Sequence, residues 1–165
     1  MDFRQIWDGP PYQSSGQVPL TDELLDATER QLGVRLPDSL VALLRWQNGG
    51  SLQVEFPKDR NFNTTHYLIR GIGPQFPRLE KDAWWHDPVW GPPSPDGAEW
   101  LIPFDGDGHW DLCLDYRRSS TDSAGLRTEP GVVVIDTEEL DPNIESFVAA
   151  SFDDYLAQLV PCTDD

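Results

Sequence analysis

Cysteine is nearly absent from this chain: Cys113 and Cys162 stand alone in 165 residues. Their separation matches no metal-ligand spacing, and two thiols make no disulfide framework. Neither a metal nor another cofactor is expected, and a reducing cytoplasm is the natural compartment. Positive charge is scarce too. Twelve Lys and Arg stand against 29 Asp and Glu, a formal net charge of −17. Such a field repels nucleic acid and anionic lipid and draws cationic partners inward, so no nucleic-acid or membrane partner is expected. Solubility alone is the competing explanation of that charge. No apolar run approaches membrane-spanning length. Met1-Asp2-Phe3-Arg4-Gln5 shows no basic segment leading into an apolar stretch, and no signal peptide is read there.

Catalytic signatures are missing as well. The chain has no Walker phosphate loop, no Gly-x-Ser-x-Gly elbow and no His-Glu-x-x-His helix. His66, His86 and His109 are scattered, and an isolated histidine is more often a hydrogen-bonded or surface residue than a base. Sequence alone leaves open a triad assembled in space. The expectation is nevertheless a protein that is not an enzyme.

What is present points to a packed globule. The length fits one domain over residues 1–165, and 38% hydrophobic residues with seven tryptophans can build a core. The most informative stretch runs E-R-Q-L-G-V-R-L-P-D-S-L-V-A-L-L-R-W-Q-N-G-G over residues 29–50. Thr21 suits a helix N-cap, and Asp22 and Glu23 place negative charge at the positive end of that helix. Leu24, Leu25, Thr28 and Leu32 recur at helical spacing. Gly33 suits the left-handed residue that ends a helix. Pro37 suits the first turn of the next, where its missing N–H is not needed. Leu40, Val41, Leu43 and Leu44 form a broad apolar face, and Asn48-Gly49-Gly50 stops the second helix. Two short helices with apolar faces turned the same way must cover something, and a sheet is the natural cover.

That stretch resembles the SUKH superfamily, which takes in the Smi/Knr-type cell-wall-assembly regulators of yeast and many bacterial toxin-immunity proteins. The resemblance is carried by Glu29, Leu32-Gly33, Leu36-Pro37 and Asn48-Gly49-Gly50. It extends to Leu101-Ile102-Pro103-Phe104-Asp105 with Gly106-Asp107-Gly108, and to Ala150-Ser151-Phe152-Asp153-Asp154-Tyr155-Leu156. It covers nearly the whole chain. The resemblance implies an α+β fold: a mixed, largely antiparallel sheet packed by an N-terminal helix pair and a C-terminal helix. It also implies a protein-binding module, foremost an immunity protein that neutralises a cognate bacterial toxin, such as a nuclease with a basic surface, by occluding it. An intracellular regulator or scaffold of the yeast type and a small-ligand module are the alternatives. A monomer or weak homodimer is expected.

Residues 1–20 are punctuated by Pro10-Pro11, Ser14-Ser15-Gly16 and Pro19, so an irregular arm is expected, tied down by Ile6, Trp7 and Tyr12. Strands are predicted over residues 52–56, 66–72, 100–104 and 110–116, with a continuous apolar strand over 131–136 covered on both faces. A Pro/Trp-rich loop fills 73–98, with one short helix near 79–85, and a surface loop fills 119–130. Ser151 with Asp154 resembles the capping box of a last helix.

Four constellations stand out. Asp105-Gly106-Asp107-Gly108-His109 suggests a calcium loop, but Trp110 and Tyr116 occupy the positions where an EF-hand needs glycine and glutamate; a hairpin turn is the stronger reading. Trp84, Trp85 and Trp90 could anchor a partner. Exposing all three invites aggregation, so the rings are expected mainly to fold back, with at least one left accessible. The acidic run Asp136, Glu138, Glu139, Asp141 and Glu145 could face a basic active site, though such runs are usually solvated loops. These tryptophans and Asp105, Asp107, Asp136, Glu138, Glu139 and Asp141 are the expected partner-contact residues. Glu29, at the margin of its helical stripe, is expected to clasp the two helices by accepting from free N–H groups at the second helix start.

Overall fold

The computed structural model describes residues 5–9, 18–57, 68–74, 78–79, 85, 91, 94–106, 110–137 and 145–162. Helix α1 spans Asp22–Leu32. Thr21 caps it, its hydroxyl accepting from the Leu24 N–H at 3.2 Å, and Gly33 closes it in left-handed backbone at φ 77°. Helix α2, Asp38–Trp46, starts directly after Pro37. Proline therefore holds the cap position, one residue ahead of the expected first turn, where its fixed φ still suits a helix entry. Leu40, Leu43 and Leu44 are fully buried and Val41 is half-buried, as a helix packed along one side requires.

The end of α2 is a junction as well as a stop. Asn48 is buried, and its amide donates to the Val18 and Ile72 carbonyls, each at 2.7 Å, while its oxygen accepts from the Ile72 N–H at 2.8 Å. Gly49 sits at φ 89°, so close to the 71–72 segment that a Cβ would lie 2.7 Å from the Gly71 nitrogen. Only glycine fits there.

The strands are short outside one sheet. Strand β1 (Gly50–Ser51) pairs with β3 (Leu68–Ile69), and β2 (Val54–Glu55) pairs with β8 (Val160–Pro161). The strands predicted over 52–56 and 66–72 thus shrink to two-residue pieces among the described residues. Strands β4 (Leu101–Gly106), β5 (Trp110–Asp115), β6 (Gly131–Asp136) and β7 (Glu145–Ala149) form a four-stranded sheet in that order. Every one of these strand pairs is antiparallel. The register slips between Pro103 and Asp105, a bulge that bends β4. In β6, Val132, Val133, Val134 and Ile135 are all buried, as its unbroken apolar run predicts.

Alternation splits this sheet into two faces. Ile102, Phe104, Leu112, Leu114, Val132 and Val134 join the leucines of α2 and Phe152, Tyr155 and Leu156 of α3 (Phe152–Leu156) in the principal core. The Phe104 ring meets Phe152 at 5.5 Å and Tyr155 at 5.2 Å, both edge-on. Each fully buried leucine or phenylalanine here stabilises the fold by about 1.5–3 kcal/mol relative to exposure. Leu101, Cys113, Val133 and Ile135 face the other way, under Trp85 and Ala98. The layout is α+β, with helices on antiparallel sheets.

The N-terminal arm is tied down by Ile6 and Trp7, both buried. Gln53 donates to the Ile6 carbonyl at 2.8 Å and Asp8 to the Ser51 carbonyl at 2.9 Å. Tyr12 and most of the short helix expected over 79–85 lie outside the described residues. No described helix is long and apolar enough to cross a membrane.

Candidate functional site

Glu29 organises the turn between α1 and α2. Its side chain is buried, and one carboxylate oxygen accepts from the Leu36 N–H at 2.9 Å while the other accepts from the Arg35 guanidinium at 2.5 Å. Its backbone carbonyl takes the Gly33 and Val34 N–H groups at 2.8 and 3.1 Å. The clasp thus grips the residue before Pro37, ahead of the first helical turn. Arg35 reaches on to Asp122 at 2.9 Å, and Asp122 accepts from the Ala124 and Leu126 N–H groups at 2.8 and 3.0 Å. The bond from Leu126, then that from Arg35, holds the Asp122 carboxyl below its ordinary range.

The far side of the turn is equally fixed. Arg35 N–H donates to the Arg127 carbonyl at 2.7 Å, and Arg127 N–H donates to the Gly33 carbonyl at 3.1 Å. The Arg127 guanidinium lies 4.0 Å over the Trp100 ring and donates to the Tyr116 and Arg117 carbonyls. Tyr116 donates its hydroxyl to the Arg35 carbonyl at 2.6 Å. Burial, then the charge of Glu29, pushes the Tyr116 pKa well above its ordinary value.

Beside this clasp lies a cleft of about 560 Å³, walled by the entry to α2 (35–39), the segment 128–130 and the entry to α3 (150–153). Leu36, Pro130 and Phe152 are buried and give it apolar ground; Asp38, Glu129 and Asp153 are exposed around it. Among the described residues, Glu129 is the non-glycine residue with positive φ, at 56°. Few non-glycine residues adopt left-handed backbone. Its carbonyl accepts from the Ser119 hydroxyl at 3.3 Å, and Thr128 N–H donates to the Ser120 carbonyl at 2.9 Å. Ser151 caps α3, accepting from the Asp154 N–H at 3.1 Å and donating to the Asp154 carboxylate at 2.9 Å.

The residues expected to touch a partner are placed differently from one another. Trp85 is 2% exposed and packs with Leu101, Cys113, Val133 and Ile135, so this ring fills the interior. Asp105 is fully buried in β4, its carboxylate accepting from the Gly106 N–H at 2.7 Å. In this fold neither side chain reaches the surface; Asp105 belongs to a strand whose residues are all buried. Asp136 is half-buried at the end of β6. Trp84, Trp90, Asp107, Glu138, Glu139 and Asp141, like His66, His86 and His109, lie outside the described residues. Glu145 corrects the loop expectation: it opens β7 opposite Ile135 and pairs with Arg117 at 2.8 Å.

A buried charged pair adds to the picture. Arg70 and Asp111 meet at 2.7 Å with side chains 4% and 0% exposed, and Arg70 also donates to the Gly106 carbonyl at 3.3 Å. A charge of each sign inside two otherwise apolar stretches was the available signal, since such charges are rarely buried alone. Cys113 is buried, and burial followed by the charge of Asp111 pushes its thiol well up, away from a reactive thiolate. Among the described residues no three His, Cys, Asp or Glu side chains gather as metal ligands.

The described residues thus form helices clasped over antiparallel sheets, with an open cleft at the entries to α2 and α3. Residues 19–158 match the SMI1 / KNR4 family (SUKH-1), and the chain belongs to that family. The match opens just before α1 and closes just after α3, so clasp and cleft both fall within it. No curated protein and no solved structure matches the chain.

Proposed function

We propose that this chain is a non-catalytic immunity protein, which neutralises a cognate bacterial toxin in the cytoplasm by covering its active site or substrate channel. The observation that carries the reading is membership of the SMI1 / KNR4 family (SUKH-1) in a chain of net charge −17. A nuclease must hold phosphate with basic groups, and an acidic protein is complementary to such a surface. The charge raises the association rate and selects the partner, while buried contacts set the lifetime of the complex. It acts as a monomer or weak dimer and uses no cofactor.

The experiment is co-expression in bacteria with the toxin domain encoded beside its gene. Growth restored by this chain, and not by an unrelated immunity protein, is the expected result. Continued killing despite soluble expression contradicts the reading. A second reading, a regulator of cell-wall assembly, draws on the same family membership; it predicts no toxin gene alongside and several partners in a pull-down.

A further inference from the structure

We propose that the cleft between α2, the 128–130 segment and α3 receives an arginine side chain from the partner's docking segment; this rests on reading the chain as a protein-binding module. The cleft has room for a side chain and its flanking backbone, at about 560 Å³, and its ground is apolar, from Leu36, Pro37, Pro130 and Phe152. Charge selects the occupant. No ion pair joins Asp38, Glu129 or Asp153 to another described residue. Arg35, the basic residue in the wall, is already shared between Glu29 and Asp122.

An anionic occupant is the competing possibility, because Pro37 provides no side-chain cap and leaves the first N–H groups of α2 open. That helix end contributes roughly half a positive charge. Three full carboxylates around the same space outweigh it. A guanidinium fits better than an ammonium: its flat faces lie against apolar walls, while its forked N–H groups reach separate carboxylates. Glu129 is held in left-handed backbone at φ 56°, on a segment anchored to Ser119 and Ser120. Its carboxylate therefore starts from a backbone position set before any partner arrives, which lowers the ordering cost of binding.

The test is amide NMR of the full isotope-labelled chain, titrated with the blocked peptide acetyl-Leu-Arg-Leu-amide and with its citrulline counterpart, equal in shape but uncharged. Saturable shifts confined to residues 35–39, 128–130 and 150–153 are expected, with the citrulline peptide binding roughly tenfold more weakly. The double variant Asp38→Asn/Asp153→Asn should bind the arginine peptide roughly fivefold more weakly. Glu129→Gln, away from either helix, provides a second variant should the first fold poorly, and it too should weaken binding. Shifts spread over the acidic exposed face of α1, or equal binding of the two peptides, overturn the proposal. Growth rescue combined with such scattered shifts leaves the immunity reading standing and removes the cleft; localised shifts without rescue do the reverse.

Discussion

Replacing Glu29 by alanine removes the clasp at its centre, and the cost can be worked out from the contacts it makes. The Leu36 N–H loses its acceptor in a buried setting, and an orphaned buried donor costs about 1–3 kcal/mol. The Arg35 contact adds less. Its side chain is 42% exposed and keeps Asp122, so solvent screens that contribution. Together Glu29→Ala should destabilise by about 1–3 kcal/mol, a melting-temperature drop of roughly 2–12 °C for a chain this long. Glu29→Gln keeps one oxygen for Leu36 but turns its amide NH2 toward the Arg35 guanidinium, losing that hydrogen bond with the charge, so it should cost less than the alanine variant. Reversible thermal unfolding at neutral pH, followed by circular dichroism, separates the two. An alanine variant melting within about 1 °C of the parent refutes the clasp as a structural requirement. A glutamine variant as unstable as alanine refutes the assignment to the Leu36 bond.

Asn48→Ala strips three hydrogen bonds, two of them buried, and should cost about 3 kcal/mol, read as a lower urea midpoint with unchanged slope. Gly106→Ala places a Cβ 2.3 Å from the Trp110 carbonyl in backbone at φ 128°; a loss of at least about 2 kcal/mol is expected, with altered Trp110 fluorescence. Stability should fall at both ends of the pH scale. Asp122 is held below its ordinary 3.8 by the Leu126 and Arg35 bonds. Burial raises Asp115, but hydrogen bonds from Arg117 outweigh it and leave that carboxyl lowered too. Their stabilisation is present above pH 3.8 and is lost as pH falls through the lowered values. Burial raises the Tyr116 and Tyr155 hydroxyls above their ordinary 10.0, so their contribution is present below pH 10 and lost above it. Urea midpoints measured across the range check both signs; a midpoint that rises on acidification below pH 3.8 contradicts the assignment of the two aspartates.

The helix pair was legible because its signals are local. A capping threonine, a left-handed glycine, a proline at the entry and leucines at helical spacing each act within one or two turns. The sheet was legible where strands are long and buried, as in β6, whose apolar run has no other use. Strand β7 was not: Glu145, Ser146 and Phe147 are exposed, so burial imposes no pattern on half its length. The β2–β8 pair joins positions more than a hundred residues apart through two residues each, too little to mark either strand. Asp105, Arg70 and Asp111 were hidden for a different reason. Charge is ordinarily a surface signal, and only the folded partner shows why these residues lie inside. The cleft was hidden because 35–39, 128–130 and 150–153 carry no shared motif and meet only through the fold.

The proposed immunity function is tested most directly by titrating the activity of the purified toxin domain encoded beside its gene with this chain. Occlusion predicts toxin activity that falls linearly to an endpoint at equal molar amounts, with both proteins recovered intact from the complex. Inactivation of toxin by far less than an equal amount of this chain, or a covalent change in the recovered toxin, contradicts the account and makes the protein an enzyme.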